Sequence, residues 1–542
     1  MPVLVFAVTL GVFLPAVDNG FVNWDDDKNL LDNPHYRGLG PAELHWMWTN
    51  HLTGHYIPIT WMSFGFDYLA WGEEPFGYHL TNLILHASNA ALFYLLALRL
   101  LRTSQSKGSV EEDWELPLAA AFAALFFALH PLRVESVVWV TERRDVLSGL
   151  FALLATLAYL RAAGHHGRKY YLACLTCFVL AVLSKEIALT LPAVFFVLDV
   201  FPLRRLGGAR GRWIGRPVWK IWLEKVPYFL VSLASGAATW VIGVREGTAA
   251  SLAEVGWLSR IQISIYGLGF YVLKTLAPFG LSPMYSLAKW KINPAGRSFV
   301  LFALIALVFT TAAIVYRREY PALIAVLLVY GVLLLPVIGI TQNGRQIVAD
   351  RYSYLACLGW ALLAGAVVQT CWRRWSGRAI RRWMLLGMVI IALGELSLLT
   401  SRQIQVWRDS ETLWTHVISV EPAPVAYQNL GMMVAGRGDF YGAMAYYREA
   451  LRFDPEDAEV HTNMGAALLA TGKADEAMLH FGQALRHKPN FANAHYGLAY
   501  SFSLQGRIGE AIEEYRAALR LKPDYEAAHR ELNKALARVG KP

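Results

Sequence analysis

Charge is scarce in this 542-residue chain: 17% of residues are charged and 55% are hydrophobic, where a typical globular protein carries about 25% charge. A disordered chain is excluded, because disorder needs high charge and few apolar groups. Length and apolar content also exclude a single soluble domain. Cysteine is equally sparse. The four residues Cys174, Cys177, Cys357 and Cys371 all fall inside apolar runs, so no disulfide framework can staple the loops. Cys174-Leu-Thr-Cys177 lies mid-helix in an apolar run and reads as helix packing rather than redox or metal chemistry. No basic stretch leads Met1–Val17, which favours a first membrane helix over a cleaved signal peptide.

What charge there is divides unevenly. Residues 424–542 hold 14 Lys+Arg and 14 Asp+Glu, so the whole net +9 belongs to the first 423 residues. It gathers in two acid-free loops between apolar runs. One contains Arg204, Arg205, Arg210, Arg212, Arg216 and Lys220; the other contains Arg373, Arg374, Arg378, Arg381 and Arg382. Short basic loops beside membrane helices stay cytoplasmic. No basic stripe interleaved with exposed aromatics is present, so the charge reports orientation and not nucleic acid.

Apolar segments able to span about 30 Å of hydrocarbon recur near 1–17, 77–101, 116–131, 145–162, 170–185, 187–203, 222–243, 260–279, 299–316, 321–340, 353–371 and 383–400. Five of them separate the two basic loops, but loops on one side need an even number. The segment 260–279, which carries Lys274 and ends at Ala277-Pro278, reads as re-entrant or interfacial. The expected fold is therefore all-α: a polytopic bundle over 1–403 with about eleven crossings plus that segment. The N-terminus would be cytoplasmic and the tail exported.

After a connecting stretch at 404–423, the tail repeats every 34 residues. Pro455, Pro489 and Pro523 share that spacing, as do Ala443, Ala477 and Ala511; Tyr447, Phe481 and Tyr515; and Ala450, Ala484 and Ala518. Small residues let paired helices approach, and the proline ends the second helix. This is the tetratricopeptide pattern, with repeats at 424–457, 458–491 and 492–525 and a capping helix over 526–542. Capture of a peptide or partner protein is the expected use; a passive spacer is the alternative.

The first exported loop, 18–76, has nine acidic residues against Lys28 and Arg37. Its run Asp25-Asp26-Asp27 suits a general base or a divalent-metal ligand, and equally a solvated acidic turn. His79, Asn82 and His86 share one helical face, yet no carboxylate or cysteine completes a zinc cluster. Charges recur on the same side: His130, Arg133 and Glu135; Glu142, Arg143, Arg144 and Asp145; Lys185 and Glu186; and Arg345, Asp350 and Arg351. Beside hydrocarbon such groups are paired or functional. A carboxylate at one place with cations at three others suits activation of a hydroxyl and stabilisation of a phosphate leaving group.

The motifs occur in a distinctive order: Trp24-Asp25-Asp26; Tyr78-His79-Leu-x-Asn82-x-x-x-His86; His130-Pro131-x-x-x-Glu135-x-Val137; and Arg143-x-Asp145-Val-Leu. Lys185-Glu186, Asp350-Arg351-Tyr352 and the terminal repeats follow. The chain resembles the transmembrane-and-tetratricopeptide-repeat (TMTC) proteins and their bacterial relatives. These belong with the C-type, polyprenyl-phosphate-sugar-dependent glycosyltransferases that include the protein O-mannosyltransferases. Trp24 stands where that family usually has Phe. The family's Gly-Arg-Ala-Asp corresponds to Glu142–Asp145, which makes Arg143 the matching cation, and its Tyr-Arg-Pro appears as Tyr56-Ile57-Pro58.

The resemblance implies an inverting, multi-pass hexosyltransferase, mannosyltransferase-like, acting on the exported side of a bacterial inner membrane rather than the endoplasmic reticulum. Asp25 or Asp26 would deprotonate a Ser or Thr hydroxyl of an exported polypeptide, or hold Mg or Mn that orients it. Arg143, Lys185 and Arg351 would bind the phosphate of a polyprenyl-linked donor. His79, His86, His130, Glu135, Asp145, Glu186 and Asp350 would support the site, and the repeats would capture acceptor or partner. Two alternatives stand beside this: transfer to a lipid or envelope polysaccharide, and a non-enzymatic membrane scaffold.

Overall fold

A computed structural model describes residues 1–104, 114–165, 167–207, 213–247, 255–286, 296–340 and 346–540. Arg210, Arg212 and Arg345 lie outside them, as does the side chain of Arg216. The chain forms two compact units, Met1–Ser410 and Glu411–Pro542.

The first unit opens with α1 (Pro2–Phe13), then places α2 (Pro41–Thr49) and α3 (Pro58–Trp71) in the stretch expected as a loop. That stretch has its own core of Leu30, Tyr36, Met47, Ile57, Trp61 and Phe64, closed against Tyr78 and Val140. Its apolar residues recur in short helical steps, so it folds as a cap. The bundle continues with α4 (Pro75–Ser104), α5 (Glu115–Ala128), α6 (Val134–Val138), α7 (Arg143–His165), α8 (Arg168–Ser184) and α9 (Leu191–Val200). It is completed by α10 (Arg216–Leu223), α11 (Val226–Glu246), α12 (Trp257–Leu276), α13 (Arg297–Val315), α14 (Pro321–Leu334), α15 (Ser353–Ala356), α16 (Leu358–Arg374) and α17 (Ala379–Val406). One short antiparallel pair, β1 (Tyr285–Ser286) with β2 (Gln346–Val348), interrupts the helices.

The count of about eleven crossings is not supported. Among the described residues five helices are long and apolar enough to cross a membrane, or seven if two bent pairs each count once. The bends are physical: α5 breaks by 55° at His130-Pro131, and the Asp350–Ala356 segment meets α16 at 57°. The apolar run 187–203 yields only the ten residues of α9 after a 3-10 turn at Glu186–Thr190. Composition alone reads every apolar run as a span; short helices and breaks take several of them out. The segment near 260–279 is the single helix α12, which carries Arg260 and Lys274 and is not among the candidate spans.

α18 (Ser410–Val420) leads into the second unit. Three helix pairs follow: α19 (Pro424–Gly436) with α20 (Phe440–Phe453), α21 (Ala458–Ala470) with α22 (Ala474–His487), and α23 (Ala492–Leu504) with α24 (Ile508–Leu521). α25 (Glu526–Val539) closes the array. The repeat columns form its interior: Ala443, Ala477, Ala511, Tyr447, Phe481 and Tyr515 are all buried.

Candidate active site

The site is built where the cap meets the head of α7 and the break after α8. Asp26 is fully buried. One carboxyl oxygen accepts from the Val22 amide at 3.1 Å, and the other accepts from the Thr141 amide at 2.9 Å and hydroxyl at 2.6 Å. Burial pushes this carboxyl up to about 7, outweighing the donated hydrogen bonds. Asp26 thus fastens the start of the cap to the residue preceding Glu142. Asp25 is half-buried, and its carboxylate has no hydrogen-bond or ion-pair partner among the described residues.

Glu142 is the centre of the charged groups. It is fully buried and meets three cations: Arg144 at 2.5 Å, Lys185 at 2.7 Å and Arg351 at 3.2 Å. Lys185 also pairs with Asp145 at 2.8 Å, and Arg351 with Glu135 at 2.5 Å. Three cations and three carboxylates therefore balance within one enclosed lattice, which is how buried charge is tolerated. Ser136 donates to Asp145 at 3.0 Å, and Tyr285 donates to Asp350 at 3.0 Å. Glu186 pairs with His55 of the cap at 2.8 Å. Burial alone would raise the Glu186 carboxyl, but the His55 charge and hydrogen bond hold it down at about 2.

Of the residues expected at the site, the structure brings Lys185, Arg351, Glu135 and Asp145 together; Glu142 and Arg144, read in the sequence as part of a charged group but given no role, join them. Their signal was visible: four consecutive charged residues head an apolar run. Arg143 needs correction. Its guanidinium is fully buried apart from that lattice, where it pairs with Asp67 and donates to Asn82 Oδ1 at 2.7 Å and the Tyr78 carbonyl at 2.7 Å. It also stacks over the Phe64 ring at 4.6 Å. With its donors occupied by protein, Arg143 ties α3, α4 and α7 together and has no open face for a phosphate.

The histidines also serve packing. His86 bonds the Tyr354 hydroxyl at 2.9 Å and the Ala128 carbonyl at 3.1 Å. His130 accepts from the Leu132 amide at 3.2 Å and donates to the Thr275 carbonyl at 3.1 Å. His79 is buried beside the start of the cap, near the backbone of Asn19 and Gly20.

The residues do not fit a metal held jointly by Asp25 and Asp26. Both Asp26 oxygens are taken by protein donors. Among the described residues no group of three or more His, Cys, Asp or Glu could share an ion.

Two further features border the lattice. Trp24, Trp139 and Trp407 cluster with ring centroids 5.3 to 6.5 Å apart, and the Arg351 guanidinium lies 5.4 Å from the Trp139 ring. An apolar cavity of about 160 Å³, open in part to its surroundings, is lined by Ala152, Thr156, Leu191, Leu198, Val326 and Leu355 among others. Leu355 is one helical turn from Arg351, and Ala152 is two turns from Asp145.

Models of the tetratricopeptide repeat match residues 462–526 and 436–472. The chain is 26% identical over 468 residues to Protein O-mannosyl-transferase Tmtc3 of Drosophila melanogaster, covering 75% of this chain and 49% of that protein. To Protein O-mannosyl-transferase TMTC3 of Homo sapiens it is 25% identical, covering 85% of this chain and 52% of the relative. The match to mouse Protein O-mannosyl-transferase TMTC4 is 32% identical but covers 37% of this chain and 29% of the relative. Among solved structures, MamA covers 24% of this chain and 77% of its own, at 20% identity and a TM-score of 0.23. The chain spans about half the length of the first two relatives. Over most of its own length, it is similar to the TMTC protein O-mannosyltransferases, and like them it carries tetratricopeptide repeats.

Proposed function

We propose that this chain is an inverting membrane glycosyltransferase that moves a hexose from a polyprenyl-phosphate donor to a Ser or Thr hydroxyl of an exported polypeptide. The reaction would take place on the exported face of a bacterial inner membrane. The observation that carries this reading is that Asp25, whose carboxylate has no partner among the described residues, adjoins Asp26, which is fastened to Thr141 next to the Glu142 of a buried lattice of three cations and three carboxylates.

Asp25 accepts the proton of the acceptor hydroxyl. The acceptor oxygen bonds to the anomeric carbon, and the carbon–oxygen bond to phosphate breaks with its electron pair leaving on the phosphate. Arg144 and Lys185 stabilise that charge by hydrogen bonding, and Arg351, whose nitrogens are engaged by Glu135, Glu142 and Gln346, contributes its charge alone. Donors are left for it: Lys185 uses two N–H groups on carboxylates, and Arg144 Nε is buried without a partner among the described residues. Asp26 positions Asp25 through Thr141. The apolar cavity below the lattice accommodates the lipid tail, and the repeats offer a surface for the acceptor chain.

The test is transfer of mannose from a short-chain polyprenyl-phosphate mannose to Ser/Thr peptides by the purified full chain. Asp25→Asn should reduce turnover at least a hundredfold with insertion and melting temperature unchanged. Undiminished transfer by that variant would remove Asp25 from the reaction.

A further inference from the structure

We infer that Trp24 is the aromatic platform on which the transferred hexose rests, and that it selects the sugar. This rests on the glycosyltransferase reading. In such a reaction the anomeric carbon must lie between the base that activates the acceptor and the cations that hold the phosphate. Trp24 is linked to both. It precedes Asp25 in the chain, and its ring is 5.3 Å from Trp139, whose ring in turn is 5.4 Å from the Arg351 guanidinium. Trp24 therefore lies at most about 11 Å from Arg351, within the reach of one hexose and its phosphate.

The geometry around the ring supports a fixed platform. Trp24 is half-buried, whereas Trp139 and Trp407 behind it are almost completely buried. Trp24 and Trp407 are nearly parallel, at 18°. An indole backed in this way cannot turn with its side chain. A pyranose presents an apolar face of C–H groups to such a surface while its hydroxyls stay free for polar partners, and amphipathic ligands are oriented in this manner in largely apolar sites. Two buried indole N–H groups, those of Trp139 and Trp407, also lack acceptors among the described residues. Buried donors of this kind are rare and point to an oxygen-bearing ligand or water at the cluster.

A platform for the sugar differs from a structural tryptophan in what it recognises. Binding of two probes to the full-length chain separates the cases: polyprenyl-phosphate mannose, and the same polyprenyl phosphate without sugar. Trp24→Ala should weaken the mannosylated lipid at least tenfold and leave the bare lipid unchanged, with Trp24→Phe intermediate. Equal weakening of both lipids, or of neither, would overturn the platform, and Trp24→Phe keeps the test open if Trp24→Ala does not fold. A wild-type chain that binds neither lipid would overturn the glycosyltransferase reading itself, and this inference with it.

Discussion

The Lys185 ammonium lies 2.7 Å from Glu142 and 2.8 Å from Asp145, joining the break after α8 to the head of α7. Glu142 serves Arg144 and Arg351 as well, so it bridges three cations that it neutralises together with Asp145 and Glu135. Removing one member of a buried ionic set costs about 3–5 kcal/mol because uncompensated charge is left behind. Glu142→Gln should therefore lower the melting temperature in detergent and abolish transfer together. Lys185→Met leaves Glu142 two cations but takes from the buried Asp145 its ion pair among the described residues, so it should lower the melting temperature as well as losing transfer. Equal stability of wild type and Glu142→Gln would refute the lattice.

Asp25 and Asp26, neighbours in sequence, should behave oppositely. Asp26→Asn replaces an oxygen that accepts from protein donors with an amide that cannot, so it should destabilise the cap. The pH dependence has a defined sign. The Asp26 carboxyl rises from an ordinary 3.8 to about 7 on folding, so the folded state holds more protons within that window. Stability from this group is fully present below about 3.8 and is lost as pH rises towards 7, at no more than about 1.4 kcal/mol per pH unit. Unfolding of wild type and Asp26→Asn, compared between pH 4 and 8, should show that slope only in wild type. Asp25→Asn should keep the slope and lose transfer.

Much of this was legible in the sequence, for reasons visible in particular residues. The repeats declared themselves because Ala443, Ala477 and Ala511 must be small to pack, and that demand recurs at fixed spacing. Charged residues beside apolar runs identified the lattice because burying them is costly. What composition could not give was which apolar runs cross. The 55° break at His130-Pro131 depends on backbone geometry, and α9 is cut short by a 3-10 turn. Nor could spacing separate Arg143 from Arg144. The two are adjacent on α7 and point to different partners, Asp67 for one and Glu142 for the other.

That division yields a prediction for Arg143. A lysine has one compact charge and cannot reproduce the fork that reaches Asp67, Asn82 and the Tyr78 carbonyl together. Arg143→Lys should lower the yield of inserted protein and its melting temperature. The fraction that folds should keep the wild-type KM for the lipid donor. A raised KM with unchanged melting temperature would instead return Arg143 to the phosphate site.

The tail offers a prediction independent of catalysis. His461 Nε2 faces the Pro455 carbonyl at 3.0 Å and must donate to it, which leaves Nδ1 to accept from His480 Nδ1 at 2.9 Å. At the positions 34 residues on, His495 makes the same carbonyl contact, but its Nδ1 meets Glu514 at 2.5 Å. Burial and the His461 charge lower the His480 pKa, whereas the Glu514 hydrogen bond raises that of His495. The His–His contact is therefore fully stabilising above about 6.5 and weakens as pH falls below it, while the His–Glu contact is strongest below 6.5 and fades as pH rises. Changing His480→Glu copies the later repeat into the earlier one. Amide exchange over 458–487 in the full chain should slow at pH 5, by about 1 kcal/mol of local stability, and change little at pH 8. Faster exchange at pH 5 would show that the two repeats are not interchangeable and that the second is built around its histidine pair.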